Sequence, residues 1–257
     1  FADLGKGAKD LFEKSFNHGL LKLEHKTKPH PLLEFKTTAE HNNDTGKIHG
    51  DLEVKHTGLP FGGMATLKWN TNNILKTDFN LTDQILQGLK NSLEVTLEPN
   101  TGDKRACIKN NFKREMINAN VDLDFANTMP LVTKSLVLGY NGYVAGVQVG
   151  FDTEKQAVNK FNYAMGYTVG DDFSFTGSVS NHMQDFGASI HQRLNDRLTW
   201  ALKINWNRGS SNTLYGAVSK ITISRTRRDF LKVSLNNALS GGLTYSCIVK
   251  KGIRLNL

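Results

Sequence analysis

Lysine is the residue type whose placement in this chain could do chemistry, and the chemistry it offers is reversible attraction of anions. Lys6, Lys9 and Lys14 recur along an opening segment in which Leu4, Ala8, Leu11 and Phe12 fall at helical spacing on the other side. Positive charge on a helix face, set beside low-dielectric walls, focuses a field on passing anions. A second set, Lys22, Lys26, Lys28, Lys36, Lys68, Lys90, Lys109, Lys113 and Lys203, falls on the polar side of alternating stretches. A ring of lysines favours anions. Glu24, Asp51, Glu53, Glu94, Asp122 and Asp124 dilute the preference, so the expected selectivity is modest. Other chemistries lack their signatures. No nucleophile elbow and no zinc motif occurs. The histidines are scattered without a paired motif, and Cys107 and Cys247 are far apart with neither metal-ligand spacing nor a disulfide framework. The expectation is a protein that is not an enzyme, holds no metal and requires no cofactor.

The elements that must carry these lysines are strands of about ten residues. Leu33, Phe35, Thr37 and Ala39 alternate with Glu34, Lys36, Thr38 and Glu40. Leu198, Trp200, Leu202, Ile204 and Trp206 alternate with Thr199, Ala201, Lys203 and Asn205. Period-two alternation puts one set on each face of a strand. Turn residues separate the strands, as at Asn42-Asn43-Asp44-Thr45-Gly46, Pro99-Asn100-Thr101-Gly102 and Gly209-Ser210-Ser211-Asn212. The count is about 17 strands and the start of another, after one short amphipathic helix with Asp3 as its N-terminal cap.

Such strands serve a soluble sandwich or a membrane barrel. A sandwich calls for mostly 5–6-residue strands and more crossovers. Ten-residue strands joined by tight turns fit an up-and-down membrane barrel, whose closure leaves no exposed sheet edge. The mean hydropathy of -0.39 is compatible with a barrel, because half of every strand faces a polar lumen. No stretch approaches the roughly 20 apolar residues of a membrane helix, and no cleavable secretory signal precedes the first strand. A net charge of +8 points to anionic partners. The expected fold is all-β, a transmembrane up-and-down barrel of about 17–19 strands. The expected organisation is a lumenal helix over 1–16, a hinge over 17–20 and the barrel over 21–257.

A collinear series of short motifs carries a resemblance. Ala2-Asp3-Leu4-Gly5-Lys6 with Lys9-Asp10-Leu11-Phe12 opens it, followed by Lys26-Thr27-Lys28, Lys68-Trp69-Asn70-Thr71 and Gly88-Leu89-Lys90. Pro99-Asn100-Thr101-Gly102, Lys113-Arg114-Glu115, Leu136-Val137-Leu138-Gly139-Tyr140 and Ser211-Asn212-Thr213 continue it. Together these resemble the voltage-dependent anion channels, the mitochondrial porins, over essentially the whole chain. The resemblance implies a multi-pass pore of the mitochondrial outer membrane for ATP, ADP, phosphate and small ions, weakly anion-selective and voltage-gated. It also implies a helix inside the lumen, self-association, and binding of hexokinase and cell-death regulators. No nucleic-acid specificity is evident. The alternative is a poorly conducting barrel that docks partners at the same membrane.

The resemblance also assigns residues. Lys6 and Lys14 match family positions linked to nucleotide contact. Gly88, Leu89 and Lys90 resemble a short motif proposed for nucleotide binding, with a strand start as the competing account. Ser240, Gly241 and Gly242 align with a segment linked to dinucleotide binding, with a turn and strand entry as the competing account. Reversible ATP or NADH binding is the implied cofactor behaviour. Leu4, Leu11 and Phe12 are expected to pack on Val137 and Val144. Ser15, Asn17 and Gly19 stand where the family has three spaced glycines, so blunted gating is expected. Leu67 stands where several animal members carry a lipid-facing glutamate. Trp69, Trp200 and Trp206 are expected near lipid headgroups or in strand packing. Lys250, Gly252, Leu255 and Leu257 resemble the signal that ends mitochondrial barrel proteins, and closure against the first strand is expected if the chain is complete.

Overall fold

The computed structural model describes residues 1, 3–13, 20–43, 45–84, 86–125, 129–210, 213–224, 229–237, 240–250 and 253–256. They form one short α-helix, a single 3-10 turn at Pro60–Gly62 and 18 strands, in two compact units. One unit comprises Gly19–Leu136 and Val149–Asn159, the other Phe1–His18, Val137–Gln148 and Lys160–Leu257.

The first of these units is a meander of β1 (Leu20–His30), β2 (Leu33–Asn42), β3 (Ile48–Leu59), β4 (Gly63–Asn70), β5 (Leu75–Thr82), β6 (Leu89–Glu98), β7 (Asp103–Lys113) and β8 (Ile117–Phe125). Each strand pairs antiparallel with the next. The β6–β7 pair runs unbroken from Leu89↔Phe112 to Glu98↔Asp103, and the Gly102 amide closes its turn on the Glu98 carbonyl at 2.8 Å. The division between the units falls within β9 (Leu131–Tyr140), β10 (Tyr143–Asp152) and β11 (Ala157–Val169).

The second unit continues with β12 (Phe173–Ser180), β13 (Asp185–Arg193), β14 (Leu198–Asn207), β15 (Thr213–Ser224), β16 (Asp229–Asn236), β17 (Gly241–Lys250) and β18 (Ile253–Asn256), again antiparallel in sequence. Asn141 and Gly142 turn β9 into β10 with φ of 49° and 84°, the doubly positive pair of a two-residue hairpin turn. The four-residue β18 matches the expected start of a further strand, and it pairs back on β17 through Cys247↔Leu255. Gly252 and Leu257 lie outside the described residues.

The helix α1 is described over Lys6–Glu13, inside the expected segment 1–16, and β1 opens at Leu20, one residue inside the expected hinge. Asp3 does not cap it in the expected way. Its backbone carbonyl takes the Lys6 amide at 3.2 Å, and Gly5, at φ 71°, sets the entry into the first turn. Lys14, Ser15, Asn17 and Gly19 lie outside the described residues.

The strands expose the apolar side of their alternation. On β14, Ile204 is 50% and Trp206 42% exposed, while Ala201 on the opposite face is 0%. Leu67 and Trp69 on β4, Leu93 on β6, Ile108 on β7 and Leu243 on β17 are likewise exposed. Among the described residues only Ala8, Leu11, Ala164, Ala201, Val218 and Phe230 are buried hydrophobics. No described helix is long and apolar enough to cross a membrane. A water-soluble domain buries its large apolar side chains, so the solvent these faces call for is hydrocarbon.

Candidate functional site

The site is built where α1 lies on the polar face of its own unit. The helix packs on β14, flanked by β13 and β15. Ala8 and Leu11 bury against Ala201 and Val218, with Phe12 packed alongside. Burying a leucine of this kind contributes about 1.5–3 kcal/mol. Leu11 and Phe12 were expected on Val137 and Val144, and the structure corrects this: their neighbours are on β14 and β15, where the Phe12 ring lies 3.1 Å from the place a Cβ on Gly216 would take. Leu4 does reach the β9–β10 hairpin. A Cβ on Gly146 would lie 2.9 Å from Val137, 3.1 Å from Leu4 and 3.2 Å from Phe1, so this glycine leaves the room they share. Val144 instead lies beside Gly139 and Gly166. The reason is geometric. Leu4 lies in the turn before α1, and the eight helical residues beyond it rise about 12 Å, so the two ends of the apolar stripe meet different strands.

Two further contacts hold α1, and sequence reasoning missed both. Lys232, on β16 and 3% exposed, donates from Nζ to the Leu11 carbonyl at 2.9 Å. Carbonyls of a last helical turn lack intrahelical partners and carry partial negative charge, which a cation offsets. His191, on β13, lies under Gly7, where a Cβ would come 3.1 Å from the imidazole ring. The polar-side alternation contained one usable signal. Ala201, Gly216 and Val218 are small or apolar residues among polar ones, the mark of a covered patch.

The lysines divide by partner. Lys22 pairs with Glu40 at 2.6 Å, and Glu34 takes both Lys26 at 2.6 Å and Lys28 at 2.9 Å. Lys36 pairs with Glu24 at 3.1 Å, Lys68 with Asp51 at 3.8 Å, Lys109 with Glu94 at 2.5 Å, and Arg105 with Asp124. Lys6 and Lys9, both exposed, reach Asp3 at 3.4 Å and Glu13 at 4.0 Å. Such exposed pairs add little stability and leave the charge in solvent. Lys90, Lys113 and Lys203 have no carboxylate partner among the described residues.

The glycine motifs have structural roles. Gly88, at φ 89°, donates its amide to Asp83 Oδ1 at 2.6 Å and accepts the Lys113 amide at 2.8 Å. Leu89 and Lys90 then enter β6 in register with Phe112 and Asn111. Ser240 donates its amide to Asn236 Oδ1 at 2.9 Å, and Gly241 and Gly242 pair with Leu235 and Ser234. Neither segment forms a strand–loop–helix phosphate cradle. Among the described residues no cluster of His, Cys, Asp and Glu could hold a metal ion.

The profile of the eukaryotic porin family matches residues 1–257. The chain is 41% identical over its whole length to the non-selective voltage-gated ion channel VDAC1 of Rattus norvegicus, covering 89% of that protein. It is equally similar to VDAC1 of Homo sapiens, with the same coverage. It is 40% identical to VDAC2 of Meleagris gallopavo, covering 86% of it.

Proposed function

This chain belongs to the eukaryotic porin family, and from that premise we propose that it is a voltage-gated channel of the mitochondrial outer membrane, passing metabolite anions, nucleotides and small ions. Its fold class is the family's all-β, up-and-down transmembrane barrel. The observation that carries the reading is the inversion of strand faces. The apolar faces lie open, as lipid requires, and the helix packs on the polar side, which a barrel turns to its lumen. Ion pairing then sets a weak anion preference. About half of the strand lysines of the first meander are offset by carboxylates; Lys55, Lys76, Lys90 and Lys113, with Lys203 and the loosely paired Lys6 and Lys9, tip the balance. Gating is release of α1 from β13–β15. In the sequence, Lys14 adds one more positive charge after α1, and Ser15 and Asn17 are non-glycine residues, which have fewer backbone conformations open to them than glycine.

Efflux of labelled ATP from liposomes tests this reading. Vesicles bearing the refolded chain should empty of ATP and retain a large dextran. Vesicles that hold ATP as tightly as protein-free ones contradict the reading and favour a non-conducting docking protein.

A further inference from the structure

We propose that the cleft between α1 and β12–β14 is a subsite for the phosphate monoester of a polyhydroxylated compound, a sugar phosphate, with Lys203 holding the phosphate. The proposal rests on the channel reading for access, since ligand reaches the cleft through the lumen.

Lys203 differs from the paired strand lysines. In register, Lys22 faces Glu40, Lys68 faces Glu53 and Lys109 faces Asp122. Lys203 faces Ser189 on one side and Gly216 on the other. No carboxylate partners it among the described residues. It lines a cleft of about 250 Å³ whose helix side is Phe1, Leu4 and Lys9 and whose sheet side includes Thr176, Ser189 and Asn205. With Ser178, this lining offers a phosphate dianion two ammonium groups, three hydroxyl donors and one amide donor. Hydrogen bonds from charged donors to phosphate are the strong ones, and lysine serves as a point-charge phosphate ligand.

The organic part follows from what adjoins this cleft. A second cavity of about 390 Å³ shares Ser178, Gly187 and Asn205 with it, adds the polar Ser180, Asp185, Asn207 and Ser210, and is completed by Phe186, Trp206 and Leu214. The hydroxyls, amides and single carboxylate of this lining suit the hydroxyl groups of a sugar, and the Phe186 and Trp206 rings suit its C–H faces. Gly187 is what opens the passage, because a Cβ there would meet the Ser178 hydroxyl at 2.8 Å. Asp185 also repels a second phosphate at that end, so a monophosphate fits the pair of cavities better than a triphosphate.

The test uses the full chain refolded in detergent micelles, with glucose 6-phosphate, inorganic phosphate and glucose as probes. Backbone amide shifts of Ser189 and Asn205 give the binding curves. Glucose 6-phosphate should saturate both shifts at lower concentration than inorganic phosphate, and glucose should produce neither. Lys203→Gln should weaken glucose 6-phosphate about tenfold. Lys203→Arg should keep most of the affinity, and Lys104→Gln, an exposed lysine on β7, should change nothing. Unshifted Ser189 and Asn205 amides, equal response to inorganic phosphate, or unaltered binding in Lys203→Gln would each overturn the proposal. Because binding is read in micelles, a chain that conducts without these shifts loses the subsite alone. A chain that shows them without conducting loses the channel reading instead.

Discussion

Lys232 shows what one ammonium does when its strand meets the end of a helix. Buried lysine is costly unless its charge is used, and here it is held at the Leu11 carbonyl. Lys232→Met should release α1 by about 1.5–3 kcal/mol, the range for a hydrogen bond to a charged group. Hydrogen exchange of the α1 amides should then quicken roughly tenfold or more; unchanged exchange would remove Lys232 from the account. Glu34 poses the opposite case, one carboxylate holding two lysines. Glu34→Gln frees both charges and should move the reversal potential toward anion preference; no movement would mean that Lys26 and Lys28 do not sense permeating ions. The sequence located these lysines on polar faces because alternation is local. Their partners depend on register between strands, which single-strand periodicity does not encode.

The helix was legible as an element and less so as a contact. Its stripe of Leu4, Ala8, Leu11 and Phe12 is a short-range pattern, so its buried face could be read directly. Its landing place on Ala201 and Val218 joins residues about 190–210 positions apart, which only the folded sheet brings together. The contacts at the two ends of α1 give a test of docking at this scale. Gly146→Leu would drive a side chain into the space shared by Leu4, Phe1 and Val137, and should displace the amino-terminal end of α1. Leu11→Ala should loosen the other end, at a cost of about 2–5 kcal/mol. Both variants should change the voltage at which conductance falls. Wild-type voltage dependence in both would separate gating from helix docking.

Across the whole molecule, the apolar alternation of the strands specifies the solvent. Ile204 sits mid-strand on β14 and half exposed, so Ile204→Lys should cost about 2–4 kcal/mol near the bilayer midplane and sharply lower the folded yield in lipid. An equal yield would place that face away from hydrocarbon. The same alternation made the fold class and strand count readable, since 18 strands each repeat one signal. Planar-bilayer recording of the purified full chain under a salt gradient decides whether it conducts and gates. A weakly anion-selective, voltage-gated pore should give stable unitary steps, a reversal potential slightly toward chloride, and conductance that falls as voltage of either sign rises. A bilayer that stays silent, or steps indifferent to voltage with a strong cation preference, would contradict it.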